Sequence, residues 1–342
     1  MGYKKYYICP NWGINNKNIK YDLKMKQIPS ISSELNEDQI KSLINKQFNH
    51  LGPYYYKLIS EWFINAYAVF HDLDKYLILI YIINKDFVFY RRNGIELDFE
   101  TFYKPNKLEV EKINLINISK DLNIAKETVR RKVVELEKSG VIKKSGKKMF
   151  VDRTEYLNIQ PKITLKNLSL LLSEFSKFLK VEKIIENHLS KEDVTKLIKK
   201  NFSFCWYQFY KFLFAFLVRW KKQVGDLEIF CIGIVIMLNA VATKEFRLKE
   251  MPFEKWAVEV HRADKKGVNA MSISEITKIP RPTVVRKLKY LVKNKYIIMN
   301  EKKLVTLNIR GKTLQESEQI QNDNLQSLSN CIFRIFNQIN LK

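Results

Sequence analysis

The chain has 342 residues, enough for two or three domains at roughly 100–200 residues each. Apolar residues make up 46 %, which excludes a disordered chain. With 60 Lys and Arg against 36 Asp and Glu the formal charge is +24, so polyanionic partners come first: DNA, RNA or an anionic membrane. Residues 1–34 are rich in Tyr, Lys and Asn and read as an irregular arm. They hold no apolar signal-peptide core, and Tyr6 stands where a myristoylation signal needs Ser or Thr. Cys9, Cys205, Cys231 and Cys331 lie far apart with no CxxC pair. That pattern is no disulfide framework and points to a reducing, cytoplasmic setting.

The first helix is expected in Leu35–Phe48, LNEDQIKSLINKQF. Its pattern returns 154 residues later as LSKEDVTKLIKKNF, Leu189–Phe202. Asn36 and Ser190 are N-cap residues, followed by acids in the first turn and apolar residues at helical spacing. An aromatic helical stretch follows, Tyr54–Ile83, carrying Trp62, Phe63, Tyr67, Phe70, Tyr76 and Tyr81. Its counterpart, Trp206–Ala242, carries Trp206, Phe209, Phe212, Phe216, Trp220 and Phe230. Within these, DLDKYLILI (Asp72–Ile80) matches DLEIFCIGI (Asp226–Ile234). Core packing between the copies is the plain expectation, and a small-molecule effector pocket between helices is the sharper one. Phe212–Val218 and Ile229–Thr243 fall short of the ~20 apolar residues a membrane span needs. They read as buried helices.

A third block, Ile118–Lys144, matches Ile273–Met299 at an offset of 155. Three ordered blocks at nearly constant offset imply an internal duplication. The copies are placed at 35–153 and 189–313. Residues 154–188 join them as a linker whose stretch Ile163–His188 has helical period. Residues 314–342 form a last amphipathic helix that closes the core or serves oligomerisation.

In the third block Ser119 is expected to cap a short helix, with a tight turn at Asn123–Ala125. A second helix runs Lys126–Lys138 with a buried stripe of Val129, Val133 and Leu136. Gly140 ends it, and Val141–Val151 reads as a hairpin. In copy two, Pro280 and Pro282 flank Arg281, a tolerated arrangement in a first turn. Lys295 replaces the terminating glycine, so its loop is expected to differ. Its hairpin, Ile298–Leu307, is shorter and less basic. The pattern I-S-x-x-L-x-I-x-x-x-T-V-x-R-K-V-x-x-L-E-x-x-G-V-I, Ile118–Ile142, resembles the winged helix–turn–helix module of bacterial regulators such as the MarR-like families. The resemblance implies a second helix lying in the DNA major groove with the hairpin as a wing on its flank. The expected architecture is mainly α with small β-wings: two tandem winged-helix repeats, with modules at 112–153 and 268–313, joined by helical segments with pseudo-two-fold symmetry.

On that reading the DNA-facing side chains of copy one are Lys126, Thr128, Arg130 and Arg131, with wing residues Lys143, Lys144, Lys147 and Lys148. Those of copy two are Arg281, Thr283, Arg286 and Lys289, with Lys302 and Lys303 on the wing. Arg130 and Arg281 are the expected base readers, and Arg131 and Arg286 are expected near phosphates. Charge placement supports the cluster. Lys112–Arg153 holds 12 basic and 5 acidic residues, and Ile273–Thr313 holds 11 and 2. Together they carry +16 of the +24, a concentration that uniform lysine bias would not produce.

His50, His71, His188 and His261 form no metal-binding pattern. GxGxxG, Walker A and GxSxG motifs are absent. No cofactor, metal or enzyme activity is expected. The expected function is a sequence-specific, double-stranded DNA-binding transcription regulator, a single-chain pseudo-dimer or a homodimer. The alternatives are a plasmid- or phage-type replication initiator with tandem winged-helix domains, or a winged-helix protein-interaction module.

Overall fold

The computed structural model describes residues 31, 34–154, 161–241, 250–263, 266–308 and 312–340. Apart from residues 31 and 34, the N-terminal arm lies outside them, as does Cys9. The described chain is mainly α-helical with two small antiparallel sheets. The first half contributes α1 (Glu37–Lys46), α2 (Phe48–Phe70), α3 (Leu73–Arg92), α4 (Phe99–Tyr103), β1 (Lys107–Val110), α5 (Leu115–Leu122), α6 (Lys126–Lys138), β2 (Ile142–Ser145) and β3 (Lys148–Asp152). The second contributes α7 (Lys162–Val181), α8 (Lys191–Lys200), α9 (Phe202–Val224), α10 (Leu227–Val241), α11 (Phe253–Ala263), α12 (Ala270–Thr277), α13 (Arg281–Lys293), β4 (Ile297–Met299), β5 (Val305–Leu307) and α14 (Lys312–Asn340).

Local chemistry sets most of the boundaries. Asn36 accepts from the backbone N–H groups of Asp38 and Gln39, and Ser190 accepts from that of Asp193, so each caps its helix. Helix α7 ends at Val181, short of the expected His188. The reason is a chain reversal. Lys183 adopts φ +57°, the Ser173 hydroxyl donates to the Leu189 carbonyl at 2.9 Å, and the Leu189 N–H donates to Ser176 at 3.0 Å.

The two matched regions share one core. Tyr55 of α2 meets Phe212 and Phe216 of α9 at 6.2 and 6.3 Å between ring centroids. Phe63 meets Phe230 at 5.4 Å, and Phe87 meets Phe202 at 5.9 Å. Such ring pairs add attraction beyond the area they bury. Helix α7 packs on α2 and α8, while α14 packs on α9 and α1. Asn337 of α14 bonds both the N–H and the carbonyl of Leu35. The apolar face of α14 (Leu325, Leu328, Ile332, Ile335, Phe336, Ile339) is thus buried within the chain.

Among the described residues no single helix is long and apolar enough to cross a membrane; α9 and α10 combine sufficient length and apolar character only together, and they are bent by 97°.

Candidate nucleic-acid interface

The candidate residues of copy one sit on α5 and α6, two helices joined by a tight turn. Asn114 caps α5 through its side chain. Ser119 therefore lies inside the helix and is not its cap. Its hydroxyl donates to the Ile124 carbonyl at 2.7 Å, across the turn. Asn123 takes φ +51°, a conformation asparagine tolerates. Copy two repeats the device: Asn269 caps α12, Ser274 donates to the Ile279 carbonyl at 2.7 Å, and Lys278 takes φ +63°.

The second helices keep their expected bounds, and their apolar stripes are buried: Val129, Val133 and Leu136 on α6, Val284, Leu288 and Leu291 on α13. Past α6, Gly140 has φ +75°. Lys295, at the matched place past α13, has φ +60°, so the loop keeps its left-handed turn despite the cost to a residue with a Cβ. Both hairpins form. β2 pairs β3 with Ser145 opposite Lys148, and β4 pairs β5 with Met299 opposite Val305. Gly146 supplies the positive φ of the first turn. A strand the sequence did not announce, β1, pairs with β3 to complete a three-stranded sheet. In copy two only a bridge between Val268 and Val305 stands in its place.

The cationic side chains are not equally available. Arg130, the expected base reader of copy one, is exposed but bonded to Glu127 one turn away. Its guanidinium holds the Glu127 carboxyl below its usual pKa. Arg131 is exposed and lines a polar cleft of about 220 Å³ in which Asp72 and Asp74 pair with Lys132 and Lys221, with Asp226 and Glu228 opposite. Thr128 is half-buried in the same cleft. Lys126 is exposed and forms no ion pair among the described residues.

Three of the four wing lysines are engaged. Lys143 bonds Asp152 at 2.9 Å, Lys144 bonds Glu137 at 2.7 Å and Lys148 bonds Glu109 at 2.8 Å. The Thr154 hydroxyl and the Lys143 ammonium hold the Asp152 carboxyl far below the ordinary range. Lys147, at the hairpin tip, is exposed with no ion pair among the described residues.

The candidate cations of copy two are less engaged. Helix α13 carries no acidic residue. Arg281, Arg286 and Lys289 are exposed, Thr283 is half-buried, and none of the three cations forms an ion pair among the described residues. Lys302 and Lys303 at the tip of the second hairpin are likewise exposed without an ion pair there. The shorter hairpin is thus the less neutralised one.

One pair of lysines had a signal that was not converted into a role. Lys132 and Lys287 are identical at matched positions, as are Asp72 and Asp226. Each lysine binds the acid that starts the preceding long helix. Lys132 reaches Asp72 at 2.6 Å, and Lys287 reaches Asp226 at 2.5 Å and Glu228 at 3.0 Å. Burial opposes the charge of Lys132, but hydrogen bonds to Asp72 and Glu135 outweigh it and raise its pKa. These lysines fasten α6 to α3 and α13 to α10. The Lys287 side chain is only 9 % exposed, so Lys287→Met should cost about 1–3 kcal/mol of stability through the orphaned acids. Replacing its exposed neighbour, Arg286→Ala, should stay within about 0.5 kcal/mol. Urea unfolding of both variants checks the contrast.

Among the described residues no group of three or more His, Cys, Asp or Glu side chains is arranged to hold a metal ion. No protein-family model matches the chain, and no curated protein or solved structure matches it either.

Proposed function

We propose that the chain is a sequence-specific, double-stranded DNA-binding regulator that carries two winged helix–turn–helix modules in one polypeptide. The observation that carries this reading is the surface of α13. Its apolar stripe is buried, and its opposite face offers Arg281, Arg286 and Lys289 to solvent with no acid on the helix. A helix of that kind fits the major groove, where Arg can bond guanine O6 and N7 in bidentate fashion. Helix α6 presents a similar face, tempered by Glu127. Its Arg130–Glu127 pair is solvent-exposed and so worth little. A phosphate or a base can take the place of the carboxylate at small cost. The exposed hairpin-tip lysines, Lys147, Lys302 and Lys303, suit flanking phosphates. The four carboxylates between α3 and α10 are paired with Lys132, Lys221 and Lys287, so these lysines are engaged and the outer faces of the modules are the contact surface that fits DNA.

Selection of bound sequences from random duplex DNA tests the reading. The expected product is a site of two half-sites forming an imperfect palindrome, because Lys126 and Arg130 are matched by Arg281 and Val285. With roughly 6–10 phosphates contacted, affinity should fall about 10³–10⁵-fold between about 50 and 200 mM salt. No enriched sequence, together with salt-insensitive binding, would refute the proposal in favour of a protein-docking module.

A further inference from the structure

Lys132 and Lys287 each tie a candidate DNA helix to a long helix of its own copy. A third lysine joins the two copies. Lys221, in the last turn of α9, reaches Asp74, in the first turn of α3, at 2.6 Å. The Lys221 side chain is only 10 % exposed, whereas the cross-copy pairs Lys46–Glu250 and Lys199–Glu100 are solvent-exposed. The duplication does not repeat the contact. Tyr67 occupies the position matched to Lys221, and Glu228, matched to Asp74, bonds Lys287 at 3.0 Å instead. Together these bonds make one path from α6 to α13. Lys132 of α6 holds Asp72, and Asp72 caps α3 by accepting from the Lys75 N–H at 2.8 Å. Asp74 of the same turn holds Lys221. Helix α9 then ends at Gly225, whose N–H donates to the Lys221 carbonyl at 2.8 Å. Asp226 accepts from the Glu228 N–H at 2.7 Å at the start of α10, and it holds Lys287 of α13.

We infer that Lys221 and Asp74 are positioning residues whose pair fixes the distance and the angle between α6 and α13. Apolar burial, which joins the copies elsewhere, has no preferred direction. A hydrogen-bonded ion pair demands both a distance and a direction. The acids on the path are themselves set at helix starts, so each lysine meets a partner in a fixed place. Stability does not account for the Lys221–Asp74 pair. Replacing a largely buried ion pair by apolar side chains of similar volume is often neutral or stabilising, and the best-attested use of such groups is to hold one arrangement among several. The arrangement of the two helices needs no assumption about DNA. Its consequence for DNA rests on the proposed function: the pair sets the spacing and relative rotation of the two half-sites that α6 and α13 contact. Two extra base pairs between half-sites turn the second by roughly 70° about the duplex axis, and two helices held at one angle do not follow that turn.

The first experiment measures distances in the full chain without DNA. Spin labels are placed at Lys138→Cys, at the end of α6, and Lys293→Cys, at the end of α13, both exposed positions. The background carries Cys9→Ser, and Cys205, Cys231 and Cys331 are buried. Pulsed electron resonance should give one narrow distance for the parent. Lys221→Met should lose it and show a broad range, and Asp74→Asn serves the same purpose if Lys221→Met does not fold. Lys221→Met combined with Asp74→Leu should resist urea at least as well as the parent yet keep the broad range, an outcome that a merely stabilising contact does not produce. The second experiment uses duplexes that differ only in half-site spacing. The parent should prefer the selected spacing, and Lys221→Met should lower its preference over a spacing two base pairs longer by about tenfold. The inference is overturned if the single variants keep the narrow distance of the parent, or if the double variant regains it. Broad distances with an unchanged spacing preference would overturn the consequence for DNA. A parent that binds no duplex, with variants that lose the narrow distance, would overturn the DNA proposal and leave the positioning role standing.

Discussion

Replacing Arg281 and Arg286 together by Ala should weaken binding to a selected duplex by roughly 2–6 kcal/mol, since each good base contact is worth about 1–3 kcal/mol. The same double change at Arg130 and Arg131 should cost less. Arg130 must first leave Glu127, to which it is bonded through both Nε and a terminal nitrogen. Fluorescence anisotropy of both double variants on one labelled duplex, at fixed salt, measures the difference. The Arg281 pair should also lower the salt dependence, because fewer counterions are released. Both variants change exposed side chains, so their melting temperatures should match the parent and separate a binding effect from a folding one. A greater loss from the Arg130 pair, or no loss from the Arg281 pair, would show that α13 is not the principal contact.

Asp86→Asn should stabilise the protein most above neutral pH and hardly change it at about pH 4. Asp86 lies in α3 and is only 6 % exposed, and its Oδ2 has no hydrogen-bond partner. Burial pushes its carboxyl up to about 7, Glu111 and Glu109 act in the same direction, and Arg153 opposes them. Arg153 is held apart for its own reasons. It donates to the Phe102 and Pro105 carbonyls and its guanidinium lies over the Phe102 and Tyr103 rings. A carboxyl whose folded pKa is raised keeps its proton in the native state after the unfolded chain has lost it. Its contribution to stability is therefore fully present below the unfolded value of about 4, declines as pH rises, and is gone above about 7. A shift of that size corresponds to on the order of 2–4 kcal/mol. Urea unfolding of the parent and Asp86→Asn between about pH 4 and pH 8 should show the gap in favour of the variant opening above about pH 4, widening to about pH 7 and then levelling. Taking the difference between the two proteins cancels the opposite contribution of groups such as Asp152 and Asp98, whose folded pKa values are lowered. A pH-independent gap would mean that Asp86 is ionised in the native state throughout.

Much of the helical framework is legible in the residues because its causes are local. The stripe Val129, Val133, Leu136 and the residues after it place α6 from Lys126 to Lys138, and the same spacing places α13. The caps Asn36 and Ser190 follow from side-chain chemistry within three residues. Ser119 shows the limit of that logic. A serine before an apolar run has the form of a cap, yet Asn114 takes the role and Ser119 spans the turn instead. The choice depends on where the preceding chain leaves sheet strand β1. The end of α7 departs from the periodicity for a similar reason: helical period continues to His188, but hydrogen bonds of Ser173 and Ser176 with the Leu189 backbone turn the chain back.

The sequence by itself determined the repeated order of elements, the two charged segments and which faces of α6 and α13 are apolar, since these depend on spacing along one chain. Tertiary structure alone decided which cations are free. Lys143, Lys144 and Lys148 meet acids on other elements, whereas Arg281, Arg286 and Lys289 meet none among the described residues, and no one-dimensional pattern encodes that difference. It also decided that Gly233 lies beside a cavity and that Leu79 and Asp86 are buried. Ion pairing, cavity volume and desolvation all depend on distances between residues far apart in the chain, and those distances exist only once the helices have packed.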